Sequence, residues 1–178
     1  MSRTVFNLSK LALLGALLGG CGLTQTVTDA TTSTAGAIFY KQVKTLHLDF
    51  TGRPAVNTAN VDMTGLSVPT LVRVYQLRDN KAVDKATYEA VLSDADNLLR
   101  PDLLDQRAVV IKPGEGAQLD VALDKDARFV TVVAFFRLPD TQNHTWRLTL
   151  PREELDPDRP RVIALSHDRL TLQPLAKE

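Results

Sequence analysis

The stretch from Phe129 to Leu138 constrains this chain most. Its apolar residues fall on both parities, with Phe129, Val133 and Phe135 on one side and Val130, Val132, Ala134 and Phe136 on the other. Strand side chains alternate across the pleat, so a run like this is stable only as a central strand covered on both faces.

Other segments show the period of two that marks half-buried strands. From Lys44 to Phe50, Leu46, Leu48 and Phe50 share one face against Thr45, His47 and Asp49. Gly52 and Pro54 loosen that strand, and Asn57 to Ser67 reads as a long loop. A second strand is expected over Leu71–Leu77. Ala108–Ile111, the turn Pro113–Gly116 and the alternation of Leu119, Val121 and Leu123 predict a hairpin. Trp146–Leu150, Val162–Leu165 and Leu170–Leu172 supply the remaining strands. Between them lies one helical passage, near 84–105, with Asp84 as the expected N-cap. Tyr88, Val91, Leu92 and Ala95 form its apolar stripe, and Pro101 ends it or starts a second short helix. Seven or eight short strands without βαβ alternation imply a mainly β fold, an antiparallel β-sandwich with a small helical insertion.

The N-terminus carries a different signal. Arg3 and Lys10 precede an apolar core from Leu11 to Leu18, followed by Gly19, Gly20 and Cys21. As a helix, Leu11–Gly20 would span about 15 Å, half of a hydrocarbon core of roughly 30 Å, so the segment reads as a cleaved signal rather than a permanent span. Leu18, Gly19, Gly20 and Cys21 resemble the bacterial lipobox, in which the cysteine is acylated and becomes the first residue. Cys21 is the sole cysteine. Diacylglycerol and an N-acyl chain on its sulfur and amine would remove a thiol that an oxidising compartment makes a liability. Residues 21–37, rich in Thr, Ser and Ala, then read as a flexible tether with an end-to-end distance of about 20–24 Å. The domain follows over 38–178.

Charge excludes some functions. The chain has 21 basic and 21 acidic side chains, and loss of residues 1–20 removes only Arg3 and Lys10, for a formal charge of −2. Basic residues are scattered among acidic ones, which gives no footprint for nucleic acid. Catalytic patterns are missing too. Ser166, His167 and Asp168 have a triad's composition, but neighbours on a strand point to opposite faces. The pairs Asp94/Asp96, Asp124/Asp126 and Asp156/Asp158 lack the glycine and distant glutamate of a calcium loop, and aspartates in turns bond their own backbone. An enzyme is the weaker reading, and no cofactor or metal is implied.

Several of these segments together resemble the TssJ (SciN, VasD) lipoproteins of the type VI secretion system. The likeness rests on the Leu-Val-Arg-Val-Tyr-Gln-Leu run at Leu71–Leu77, the helix around Tyr88 and Leu92, the Leu-Leu pair before Gln106, the Val132–Arg137 run, the Trp146–Arg147 pair and the lipobox. It implies a transthyretin-like sandwich anchored by lipid in the outer membrane, facing the periplasm and docking the periplasmic C-terminal part of TssM. Gly22 after the cysteine is compatible with outer-membrane sorting. The family's docking loop corresponds here to Asn57–Ser67, which makes Asn57, Asn60, Val61, Asp62, Met63, Thr64 and Leu66 the implied partner-binding residues. Val61, Met63 and Leu66 would be its apolar contacts, or would pack back onto the domain. This sequence departs from the family where Asn57 is followed by Thr58 rather than proline. The rival reading is a periplasmic lipoprotein sandwich that binds a small ligand or glycan.

Overall fold

The computed structural model describes residues 43–58 and 66–175. The expected lipobox, the expected tether and residues 59–65 lie outside the described residues. Eight strands form two four-stranded sheets. They are β1 (Thr45–Val56), β2 (Thr70–Leu77), β3 (Leu103–Ile111), β4 (Gly116–Ala122), β5 (Phe129–Phe135), β6 (Arg147–Pro151), β7 (Arg161–His167) and β8 (Arg169–Leu172). One sheet has the order β4-β1-β7-β8 and the other β3-β2-β5-β6. Helices α1 (Lys81–Lys85) and α2 (Tyr88–Leu99) follow β2. Two sheets and a short helical insertion are the expected sandwich.

The Phe129–Phe135 run is an interior strand. In β5, Val130, Thr131, Val132, Val133 and Ala134 are all buried, between β2 and β6. One face meets the other sheet, where Leu46, Leu48 and Phe50 of β1 and Ile163 and Leu165 of β7 are at most 1% exposed. Each such side chain contributes about 1.5–3 kcal/mol by leaving water. Two polar side chains tie the layers together. Gln76 of β2 donates from Nε2 to Ala122 O at 2.9 Å and accepts from Asp124 N at 2.7 Å. The Arg152 guanidinium donates to Asp124 O, Ala127 O and Val43 O at 2.6–2.8 Å.

Several elements differ from the sequence expectation. β1 does not end at Phe50 but continues through Gly52 and Pro54 to Val56. Its pairing with β4 stops at Thr51–Gly116, while its parallel pairing with β7 continues with a register shift between Gly52 and Val56. Pro54 therefore sits where a missing N–H costs little. The β1–β7 pair is the one parallel pair among the described strands. Likewise, β3 and β4 are not a hairpin. β3 pairs with β2 and β4 with β1, so the turn at Pro113–Gly116 crosses from one sheet to the other. Gly52 receives that crossing: its N–H donates to Glu115 O at 2.9 Å and its carbonyl accepts from Gly114 N at 3.0 Å.

The helical passage is also rearranged. Asp84 lies inside α1, and the N-cap of α2 is Thr87, whose Oγ1 accepts from Ala90 N at 3.2 Å. Tyr88, Val91, Ala95 and Leu99 form the buried stripe, whereas Leu92, at its edge, is 55% exposed. Beyond Pro101 the chain enters β3 at Leu103 rather than a second helix. Tyr88 anchors α2 by donating its hydroxyl to Phe136 O at 2.6 Å and meeting Trp146 edge-on at 5.3 Å. Arg147 stacks over Trp146 and donates to the carbonyls of Val83, Asp84 and Ala86, closing the end of α1 against the sheet. Burial lowers its pKa from the ordinary arginine value, the expected cost of taking a cation partly out of water.

Two outcomes follow from this packing. Gly52→Ala would place a Cβ 2.6 Å from Lys112 O, and should destabilise the domain by about 1–3 kcal/mol in urea unfolding. Tyr88→Phe leaves the Phe136 carbonyl without its donor, and should cost about 1–2 kcal/mol in the same assay.

Candidate functional site

The connection from β1 to β2 leaves the sandwich beside two other connections. Val56 pairs with His167 as β1 ends, and Asn57 follows with φ 51°, a left-handed state that asparagine tolerates better than most residues. Asn57 is 4% exposed. Its N–H donates to His167 O at 2.7 Å, and its Oδ1 accepts from Arg137 N at 2.7 Å. The Thr58 hydroxyl shares a hydrogen bond with His167 Nδ1 at 3.0 Å. On the return side, Ser67 Oγ donates to Pro54 O at 2.6 Å. Both described ends of the connection are thus held on the body of the domain.

Three connections meet at this end. Thr58, Leu138, His167, Asp168 and Arg169 line an open cleft of about 300 Å³. Leu138, 48% exposed, leads from β5 toward β6, and Leu66, 64% exposed, lies just ahead of β2. Apolar side chains left this far in water are candidates for contact with another molecule. Behind Leu138, Asp140 stabilises its turn by accepting from the backbone N–H groups of Gln142 and Asn143 and from the Asn143 side-chain amide. Those bonds, led by the side-chain amide, hold its carboxyl below the ordinary aspartate value, with a smaller contribution from Arg169.

Among the expected binding residues, the described ones divide. Leu66 is exposed and available for contact. Asn57 is buried and cannot serve as a contact surface; its polar atoms are consumed by the domain itself. Asn60, Val61, Asp62, Met63 and Thr64 lie outside the described residues, as do Cys21, Leu18, Gly19 and Gly20. Sequence reasoning missed Arg137 and His167 as the partners of the loop's base. The available signal was an asparagine directly after a strand, where a left-handed residue is often required.

Ser166, His167 and Asp168 do not assemble into a catalytic line. Ser166 pairs with Arg169 across the β7–β8 turn, His167 binds Thr58, and Asp168 Oδ1 accepts from Arg169 Nε at 3.4 Å. One carboxylate of each aspartate pair is spent locally: Asp124 Oδ1 accepts from Asp126 N, Asp156 Oδ1 from Asp158 N and Arg159 N, and Asp94 Oδ1 from the Asn97 amide. Among the described residues no helix is long and apolar enough to cross a membrane.

Comparison with known proteins places these features in context. The family model described as type VI secretion lipoprotein, VasD, EvfM, TssJ matches residues 44–174. A chain in the solved structure described as the T6SS protein TssM C-terminal domain from EAEC is 41% identical, with a TM-score of 0.67, over 75% of this chain and 100% of that one. A chain of a type VI membrane complex is 42% identical, with a TM-score of 0.70 and the same coverage. The T6SS lipoprotein TssJ1 from Pseudomonas aeruginosa is 25% identical, with a TM-score of 0.60, over 75% of this chain and 98% of its own. A search of the curated proteins gives no significant match.

Asp140 gives a direct check on this end of the domain. With a lowered pKa, its carboxylate keeps its turn bonds through neutral and mildly acidic pH and loses them only as pH falls through a midpoint below 3.8, the ordinary value. The amide resonances of Gln142 and Asn143 should titrate together at that midpoint in NMR spectra, and Asp140→Ala should abolish the titration.

Proposed function

The chain belongs to the type VI secretion lipoprotein family, and from that premise we propose that it is the lipid-anchored outer-membrane component of the membrane complex and docks the periplasmic C-terminal region of TssM. The single observation carrying this reading is the 41% identity, over three quarters of the chain, to a chain in a structure described by the TssM C-terminal domain. The mechanism is anchoring and docking without turnover. Cys21 carries the lipid and Leu18, Gly19 and Gly20 precede the cleavage point. Burial of each acyl methylene contributes about 0.8 kcal/mol, so one chain holds weakly and several hold durably. Confinement to the outer membrane's periplasmic face then raises the local concentration of the domain near a partner reaching up from the inner membrane.

The docking surface is the β1–β2 connection, Asn57–Ser67, together with the cleft beside it. Exposed Leu66 and Leu138 support this reading, and Thr58, where the connection begins, lines the cleft with Leu138. The burial of Asn57 moves it from contact to foundation.

Pull-down of the periplasmic region of TssM by the full-length lipoprotein tests the surface. Leu66→Asp and Leu138→Asp should each weaken binding by about tenfold, the loss expected when an apolar contact worth about 1.4 kcal/mol is replaced by an unpaired charge. Undiminished affinity in both would remove the surface from consideration. For the anchor, Cys21→Ser should stop incorporation of labelled palmitate and release the protein from the outer-membrane fraction; a variant that stays labelled and membrane-bound would overturn the lipid assignment.

A further inference from the structure

We propose that the end of the sandwich where the chain enters β1 is a membrane-facing surface that binds the phosphates of anionic phospholipid headgroups. The inference rests on the lipid anchor proposed above, and the surface itself is built only from the folded body of the domain. An open depression of about 500 Å³ lies there, lined by Arg78, Lys125, Asp126, Ala127, Arg128 and Arg152. These residues are far apart in the sequence, and three connections bring them together. Arg78 follows β2, Lys125 and Arg128 lie between β4 and β5, and Arg152 follows β6. Backbone bonds fix the assembly: Arg128 N donates to Leu77 O at 2.9 Å, and Arg152 N donates to Arg128 O at 2.8 Å.

Four cations line the depression against one carboxylate. Lys125 Nζ pairs with that carboxylate, Asp126, at 3.1 Å, which leaves three guanidiniums in excess. Arg152 spends its Nη atoms on the neutral carbonyls of Val43, Asp124 and Ala127, so its charge is held in place without being cancelled. Arg78 and Arg128 are exposed, and their side chains form no ion pair among the described residues. Asp79 is occupied by Lys81, whose side-chain and backbone hydrogen bonds hold its carboxyl below the ordinary aspartate value, with Arg128 adding only a weak attraction. Glu153 and Glu154 follow Arg152 in the chain and do not line the depression. Guanidiniums present a planar fork of donors that matches phosphate oxygens, which selects a phosphate-bearing anion. The place of the depression selects a membrane. Arg152 Nη2 donates to Val43 O at 2.6 Å and Leu123 N to Lys44 O at 2.8 Å, so the chain coming from Cys21 joins the domain at this depression. An acylated Cys21 therefore keeps this end close to the headgroup layer, where cations are attracted to an anionic surface. Asn57 leaves from the far end of β1.

Hydrogen exchange of the full-length lipidated protein tests the proposal, in nanodiscs of phosphatidylcholine and of an equimolar mixture with phosphatidylglycerol. The amides of residues 124–128 should exchange about fivefold more slowly in the mixed membrane, the factor that one cation gains at an anionic surface. Arg78→Gln combined with Arg128→Gln should remove the difference and leave the melting temperature unchanged, since both side chains are exposed. Lys112→Gln removes a positive charge next to Ile111, which pairs with Thr70 at the other end of β2 from Arg78, and should keep the difference. Equal exchange in the two membranes, or loss of the difference with Lys112→Gln, would overturn the proposal. Inorganic phosphate added to the phosphatidylcholine nanodiscs should not reproduce the slowing; full reproduction makes the depression a free-anion site, and the membrane assignment falls. Slowing that appears only on addition of the periplasmic C-terminal region of TssM makes it a protein interface, and overturns the proposal as well. The anchor is read separately. A protein that stays with neither membrane removes the lipid reading and this surface with it, whereas one that stays with both while exchange is equal removes only the headgroup contact.

Discussion

Strand β1 carries hydrogen-bonded partners on both edges, antiparallel to β4 and parallel to β7, and most of what is distinctive in this domain follows from that position. Its alternate residues Leu46, Leu48 and Phe50 provide one sheet's contribution to the core. Gly52, where the β4 partnership has just ended, accepts the crossing turn that carries the chain between sheets. Past Gly52 the strand holds on one edge only, which is where a proline and a register shift can be accommodated. At its end Asn57 turns the chain out. The connection to β2 thus leaves from the end of an interior strand, with Asn57 held on the body of the domain.

Sheet content was legible in the sequence because burial writes itself as period. β5 is apolar on both parities and is interior; the first half of β1 alternates and is half covered. Pairing was less legible. Pro113–Gly116 between two alternating segments looks the same whether the strands lie side by side or face each other across the core, since local sequence encodes the turn and not the layer it leads into. The helix cap was misplaced for a related reason. Asp84 and Thr87 are both competent caps, and the Asp84 carbonyl is bound at the end of α1 by Arg147 from 63 residues away. No window of neighbouring residues contains that information.

The site shows the same division. Leu66 is exposed, and the expected lipobox is a contiguous motif that needs no tertiary context. Asn57 looked like part of the contact because it opens the loop; its burial depends on Arg137 and His167, which reach it only when the sheets have assembled. Membership of the type VI secretion lipoprotein family, resting on residues 44–174, covers the folded domain, while the expected lipid anchor rests on the N-terminal motif alone.

The parallel pairing of β1 with β7 also has a temporal side. Leu48 pairs with Arg161, 113 residues further along the chain. Synthesis from the N-terminus delivers β1 first and β7 nearly last, so β1 lacks one edge until almost the whole domain has been made. Pairings this distant in sequence are slow to close, because their loop entropy is spent before the contacts repay it. The sandwich therefore closes only when its last strands have joined the first.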